Sequence, residues 1–348
     1  MTDVDPVVTP NDALPHYPDL ITESAARYQN HLSARLGLFS EQLRPRVERL
    51  IELLDRVRDT TDIRADDLGF TAQDLALARA EDVDLLVNQW CLGWGRDSAP
   101  IISMGTEEAY PAKPVDLGQW NCCCSVIWAT GGRQDVVDAL DPRSAHPEQR
   151  ISGFEQRRQF HIHSNDYYLV HKRHWDSETR RWVRPGRHTW KLLAEVVAGH
   201  GRWQPLLEQN VGTLGELTYQ IEVSAYPAKL AVDGRASTDE RQAFLSKVLG
   251  TVRGTAKVLI FHGRANEPGW GGRDSLAGVF LGTPRLTEFD WTQVNVLGQP
   301  VRYARHGDRL VLLTRALNGN VRTQLIDKLH ELVASALPQQ SEQSHRGI

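Results

Sequence analysis

The N-terminal quarter of the chain carries a helical pattern of apolar residues. Between about residues 20 and 57, apolar side chains recur every three or four positions, and the pattern breaks near Pro45. A second helical stretch, TAQDLALARAEDVDLLVNQW, begins near Thr71, a suitable N-cap residue. Polar residues with several prolines precede both stretches. The pattern therefore predicts a flexible N-terminus over residues 1–17 and a helical segment over residues 18–96.

From residue 97 onwards, short apolar runs alternate with helical patterns. The runs PIISM, YQIEV, KVLIF and LVLL are typical of buried strands, and amphipathic stretches such as HTWKLLAEVVAGHG and VRTQLIDKLHELVASAL lie between or after them. Strands separated by helices favour a parallel sheet covered on both faces. The predicted fold is a three-layer α/β/α domain with a short parallel sheet over residues 97–336, followed by a flexible tail at 337–348.

Residues 151–187 interrupt this alternation and are predicted to form an inserted β element. FHIH and DYYLVHKRHW are strand-like, and DSETRRWV is typical of a hairpin turn that leads into a third strand. Residues 150 to 188 hold nine Arg/Lys against four Asp/Glu, plus five His. Such a patch can bind phosphates, so we expect Arg180, Arg181 and Arg184 to contact DNA backbone. A merely solvated decoration is the alternative interpretation.

Composition bounds the class of protein. The 348 residues are 41% hydrophobic and 24% charged, which is typical of soluble globular proteins. No apolar run approaches the roughly 20 residues that a membrane span needs, and the acidic N-terminus lacks the features of a signal peptide. The net charge of -4 argues against attraction of the whole molecule to nucleic acid. We therefore expect a cytoplasmic monomer without membrane contact, and any DNA contact must use a local basic patch.

Cysteine and histidine spacing gives little support to a metal or cofactor. Cys91 and the run Cys122 to Cys124 include no CxxC spacing, so we expect reduced thiols in the core. Five residues of the insert could offer metal ligands: His161, His163, Asp166, His171 and His174. Two histidines at i and i+2 share one face of a strand, but the spacing departs from HxHxDH. A metal-dependent hydrolase or nuclease stays an alternative, and no metal or cofactor is predicted.

Polar, aromatic and small residues follow each predicted strand, beginning with the apolar run that stops at Gly105. They are Gly105, Glu107, Glu108 and Tyr110, then Ser224, Tyr226 and Pro227, then His262, Gly263 and Arg264, and finally Thr314, Arg315, Asn318, Gly319 and Asn320. In parallel sheets ligands bind beyond the carboxyl ends of the strands. A carboxylate there can stabilise an oxocarbenium-like sugar and orient water, a ring can stack on a base, and basic or amide groups can hold phosphates. The set predicts hydrolysis of an N-glycosidic bond.

Plainer interpretations exist for several of these residues. Glu107 and Glu108 can be solvated loop acids, and His262 can be a histidine with satisfied hydrogen bonds in the core. Arg315 and Asn318 can belong to an ordinary turn before a helix, since Asn-Gly is a strong turn signal. Trp120 can be a core aromatic residue. The sequence alone leaves these alternatives open.

The order of the pieces resembles the uracil-DNA glycosylase superfamily over roughly residues 98 to 336. GTEEAY stands where that family carries a motif like G-Q-D-P-Y after its first core strand. IEVSAYP stands in the place of the strand with a base-recognition residue, and VLIFHG is similar to the strand that follows. LLTRALNGN takes the place of the final loop, like H-P-S-P-L-S, which wedges into DNA. Glu107 replaces the family's Asp, and Glu108 replaces the motif's Pro.

The resemblance implies a monofunctional DNA glycosylase that flips a base out and leaves an abasic site. Glu107 would be the catalytic carboxylate, and Arg315 or Asn318 would replace the histidine of the final loop. Substrate contacts would come from Gly105, Thr106, Tyr110, Trp120, Ser224, Tyr226 and His262, and Asn320 would contact DNA. The altered first motif and the long chain favour a bulky modified base of phage DNA, and hence antiviral defence. A DNA-binding module of the same fold without activity is the alternative.

Overall fold

The computed structural model describes about half of the chain, including the whole predicted sheet. The described residues are 17–59, 80–86, 88–90, 92, 97–107, 174–176, 181–183, 189–202, 217–224, 239–267, 272–283, 291–315, 317 and 321–337. Their helices are α1 (Tyr17–Arg35), α2 (Arg44–Asp59), α3 (Ala80–Leu86), α4 (Thr189–Ala198), α5 (Asp239–Val252), α6 (Arg273–Leu281) and α7 (Thr323–Ala334). Their strands are β1 (Ile101–Glu107), β2 (His174–Asp176), β3 (Arg181–Val183), β4 (Thr218–Ser224), β5 (Val258–His262), β6 (Thr292–Val296), β7 (Gln299–His306) and β8 (Arg309–Thr314).

The central sheet has six strands in the order β4-β1-β5-β8-β7-β6. The first four are parallel and contain the runs YQIEV, PIISM, KVLIF and LVLL, so the prediction that these segments lie side by side is confirmed. β7 and β6 add an antiparallel extension. The sheet is therefore mixed and longer than the short parallel sheet expected. The β6–β7 turn has positive φ at Leu297 (49°) and Gly298 (78°), as a two-residue turn between twisted strands requires.

Helices cover the parallel part of the sheet in two groups. The connection from β1 to β4, which contains α4, moves one way across the sheet, and the connection from β4 to β5, which contains α5, moves back past β1. Because parallel crossovers are right-handed, these connections lie on opposite faces. α7 packs against α4 and α6 packs against α5. The arrangement is compatible with a three-layer α/β/α fold.

The predicted N-terminal helices are present and packed. α1 packs against α2, and α1 also contacts α5. The break near Pro45 falls where expected, because Pro45 lies in the first turn of α2, where a missing N–H costs no helical hydrogen bond. Apolar residues of α2 are buried at helical spacing, namely Val47, Leu50 and Leu54. Of the second helical stretch, the described part is α3 together with residues 88–90.

The basic insert contains a hairpin, as predicted. β2 and β3 pair antiparallel, with Trp175 opposite Trp182. Residues 151–173 lie outside the described part, as do the flexible N-terminus and tail predicted at 1–17 and 337–348, except Tyr17 and Leu337. No helix of the described residues is long and apolar enough to cross a membrane.

Candidate functional site

The parallel strands extend further than the sequence predicted. β1 passes through Gly105 and Thr106 to Glu107, whose partner on β4 is Ser224. The expectation that the strand stops at Gly105 is therefore wrong, because β4 continues alongside β1 and supplies the ladder hydrogen bonds. His262 and Thr314 likewise are the last residues of β5 and β8 rather than the first residues of loops. Candidate residues thus lie on the rigid sheet.

Strand register separates an apolar face of the sheet from a face that becomes polar at its carboxyl end. Gly105 pairs with Glu222, and His262 pairs with Thr314. Continuing the pairing of Met104 with Phe261 by one residue places His262 beside Gly105. Paired residues of parallel strands point to the same face. Glu222, Gly105, His262 and Thr314 therefore form one line across four strands, which we name the inner polar row.

Glu222 places its carboxylate directly over Gly105. A Cβ added to Gly105 would lie 2.1 Å from Glu222 Oε2 and 2.9 Å from Oε1. Any side chain at position 105 would displace this carboxylate. Gly105 is expected from the resemblance to contact substrate, and in the structure the space above it is taken by the Glu222 carboxylate.

His262 is a neutral imidazole in the middle of the inner polar row. Burial lowers the pKa of His262 from 6.5 to about 4, because the protonated ring would lose its hydration. At neutral pH the ring therefore offers one N–H donor and one nitrogen acceptor. Such a group can contact a polar ligand without adding positive charge to the site.

Thr314 closes the row on β8 and is held by a short chain of hydrogen bonds. Asn266, in the 3-10 turn Gly263–Asn266, donates from Nδ2 to the Thr314 carbonyl at 2.7 Å. Arg273 of α6, 3% exposed, donates from Nη1 to the Asn266 carbonyl. The Thr314 side chain is 1% exposed, and its hydroxyl has no hydrogen-bond partner within the described residues. The backbone at the end of β8 is therefore held by α6 through Asn266.

A second buried arginine fixes the other end of the row. Arg241, in the first turn of α5, is fully buried. It donates from Nη2 to the Glu222 carbonyl at 2.7 Å and from Nη1 to the Gln89 carbonyl at 3.1 Å. The end of β4 is thereby tied both to α5 and to the segment that follows α3.

Charged residues of both signs lie near this edge of the sheet. Arg241 and Arg273 lie in the first turns of α5 and α6, where the helix dipole is also positive. Arg264 is about half exposed in the 3-10 turn and pairs with Glu267 at 3.9 Å. Arg315, directly after β8, is partly buried. Arg273 forms an ion pair with Asp274 at 2.6 Å, and Asp239 and Glu240 share the first turn of α5 with Arg241, so the described part of this edge carries charges of both signs.

The structure brings together some of the predicted site residues. Gly105, Ser224 and His262 lie at the same edge, Ser224 being buried and paired with Glu107 through the backbone. Thr106, Glu107 and Arg181 are placed by their strands, and their side chains are outside the described part. The remaining predicted residues are also outside it: Tyr110, Trp120, Tyr226, Arg180, Arg184, Asn318 and Asn320.

Glu222 is the site residue that the sequence prediction missed. A signal existed, because β4 alternates polar and apolar residues: Thr218, Gln220, Glu222 and Ser224 face one way, and Tyr219, Ile221 and Val223 face the other. The apolar run predicts YQIEV as a buried strand and places candidate residues only beyond its end. Alternation within the strand placed Glu222 on the polar face.

Neither a metal centre nor a known relative accounts for this arrangement. Among the described residues, no group of three or more His, Cys, Asp or Glu side chains could hold a metal ion. Of the possible ligands in the insert, only His174 falls in the described part. Comparison with protein-family models, curated proteins and solved structures finds no match.

Proposed function

We propose that the chain is a DNA glycosylase that hydrolyses the N-glycosidic bond of a flipped-out modified base and leaves an abasic site. The observation that carries the proposal is the inner polar row at the carboxyl edge of four parallel strands, with two glutamates on neighbouring strands. A carboxylate at such an edge can stabilise the positive charge that develops on the sugar as the bond breaks.

The two glutamates stand at different depths, which divides their roles. Glu107 is two residues further along β1 than Gly105, and Gly105 is the partner of Glu222. Two residues of parallel strand span about 6.6 Å. A flipped base enters ahead of its sugar, so the base meets the inner polar row and the sugar meets the level of Glu107. We assign Glu107 to the reaction, where it stabilises the sugar cation and orients or deprotonates water.

The other predicted residues complete the proposed site. Tyr110 and Trp120 stack on the flipped base, Tyr226 lines the pocket, and Arg315 or Asn318 contacts the leaving base or the adjacent phosphate. Asn320 and the hairpin arginines hold the DNA backbone. The enzyme acts as a monomer in the cytoplasm, where it removes modified bases from incoming phage DNA, and it needs no cofactor.

Substitution of Glu107 tests the proposed chemistry. Glu107→Gln keeps the shape of the side chain and removes its charge, so DNA binding should persist while base release falls by about two to four orders of magnitude. Glu108→Gln is the matched control and should lower the rate far less. Release is measured as abasic sites formed in a panel of phage DNAs with different modifications. Normal release by Glu107→Gln would overturn the assignment, and tight binding without release by wild type would indicate a binding module.

A further inference from the structure

The position of Glu222 carries an inference about which base the site accepts. Glu222 is partly buried, and its backbone is held by the buried Arg241. Its carboxylate lies over a residue that has no side chain to displace it. The carboxylate therefore has a defined place in the inner polar row, at the depth that the proposed function assigns to the base.

The Glu222 carboxylate can pair only with hydrogen-bond donors. An ionised carboxylate accepts hydrogen bonds and cannot donate them. An exocyclic amino group on a base donates to it, whereas an oxo group at the same place meets another acceptor and is repelled. A site built around a fixed acceptor discriminates against the analogue that presents a second acceptor at the same place.

The rest of the inner polar row does not impose the same choice. The neutral ring of His262 has both a donor and an acceptor, and the Thr314 hydroxyl can act as either. Selectivity between the two kinds of base therefore depends on Glu222.

We propose that Glu222 contacts the edge of the flipped base and selects bases with an exocyclic amino group, such as cytosine, adenine or guanine derivatives, over bases with oxo groups only. This inference rests on the proposed function for the location of the base. It makes Glu222 a specificity residue, distinct from Glu107, which acts on the sugar. Uracil and thymine are excluded as preferred substrates.

Binding of matched oligonucleotides tests the inference without any need for base release. Single-stranded oligothymidine with one central cytosine is compared with the same strand carrying uracil, and central adenine is compared with hypoxanthine. The two members of each pair differ in an amino or oxo group at one ring position and in the adjacent ring nitrogen, which is an acceptor in cytosine and adenine and an N–H donor in uracil and hypoxanthine. Affinities are measured by fluorescence anisotropy with the full-length Glu107→Gln protein, so that substrate is not consumed. The amino member should bind about 10- to 100-fold more tightly in each pair.

Substitutions at position 222 attribute the preference to this carboxylate. Glu222→Gln, added to the same protein, offers a donor as well as an acceptor, so the preference should fall below about threefold. Glu48→Gln on α2, where the residue is exposed, removes the same charge and should leave the preference unchanged. Glu222→Asp retains an acceptor-only group and should keep the direction of the preference. If Glu222→Gln does not fold, the preference of Glu222→Asp is compared with that of the protein that retains Glu222.

The outcomes separate this inference from the proposed function. Equal affinity for both members of each pair, or a full preference in Glu222→Gln, overturns the role of Glu222. Base release by wild type together with equal affinities supports the glycosylase and refutes the inference. If Glu222→Gln loses the preference for amino-bearing bases but the wild-type protein releases no base, base recognition by Glu222 is supported and the glycosylase reaction is refuted.

Discussion

At the scale of single residues, the contact between Gly105 and Glu222 is the most informative feature of the protein. Glycine inside a strand costs roughly 0.5–1 kcal/mol relative to alanine, because it loses more backbone freedom on folding. The inner polar row gives a reason for that cost, since only glycine lets the Glu222 carboxylate lie over β1. The pair should therefore behave as one functional unit.

Gly105→Ala should move the carboxylate without unfolding the protein. Glu222 is flexible at its far end and can shift from the new methyl group, so the free energy of unfolding in urea should stay within about 1 kcal/mol of wild type. The preference for amino-bearing bases should nevertheless fall as in Glu222→Gln. Gly37→Ala is the matched control, because a Cβ at Gly37 meets nothing within 4 Å. Full retention of the preference in Gly105→Ala would show that the carboxylate position is irrelevant.

His262 gives the fold a predictable pH dependence. The unfolded chain takes up a proton at this residue near pH 6.5, whereas in the folded protein the pKa of His262 is about 4. Between these pH values the unfolded state binds more protons than the folded state, so the free energy of unfolding rises with pH. The stability due to His262 is fully present above pH 6.5, and up to about 3 kcal/mol of it is lost as the pH falls towards 4. His262→Asn should remove this part of the pH dependence in urea titrations. If the free energy of unfolding depended on pH identically in wild type and in His262→Asn, the His262 ring would not be neutral in the folded protein.

At the scale of elements, the sequence predicted the strand cores better than their ends. Continuous apolar runs identify β1, β5 and β8, since burial on both faces requires them. β6 and β7 were not predicted, because an exposed edge hairpin carries many polar residues. α6 was also missed, as it is short and bounded by Gly272 and Gly282 at positive φ. Local patterns reveal burial, whereas edges and ends depend on neighbouring strands.

Arg241 and Lys247 on α5 allow a direct comparison of a buried and an exposed cation. Arg241→Met leaves the carbonyls of Gln89 and Glu222 without their donor in a buried setting, so it should lower the free energy of unfolding by about 3 kcal/mol. Lys247→Met removes a half-exposed ion pair with Glu23 and should cost less than about 1 kcal/mol. Urea denaturation of both variants measures the difference. Equal costs would mean that Arg241 does not hold the end of β4.

At the scale of the whole molecule, the edge of the sheet that carries the candidate site could be predicted, but the residues that form it could not. Alternating strands and helices imply a shared carboxyl edge, which correctly brought Gly105, Ser224 and His262 together. Glu222 was missed because its importance depends on the register between β4 and β1, which no single segment encodes. The roles assigned to the Glu107 side chain and to the aromatic residues stay predictions.

The proposed binding of DNA by Arg180, Arg181 and Arg184 is a prediction at the scale of the whole molecule. Replacing Arg180, Arg181 and Arg184 together by alanine should weaken DNA binding and reduce the slope of log K against log salt by up to about 2.7, because fewer counterions are released. The control replaces Arg35, Arg49 and Arg305, which are exposed elsewhere on the chain. Both triple replacements change the net charge by the same amount. Affinity is measured between about 50 and 200 mM salt. The same loss in both triple variants would assign the effect to net charge.

The central claim is hydrolysis of an N-glycosidic bond, and the products formed by the wild-type protein test it most directly. Phage DNA that carries modified, amino-bearing bases is incubated with the protein, and free base is quantified by mass spectrometry alongside alkali-labile sites in the DNA. The account predicts free modified base and abasic sites in equal amounts, formed in the presence of a metal chelator. Released nucleotides, strand breaks that depend on added metal, or DNA that stays intact across the whole panel would contradict it.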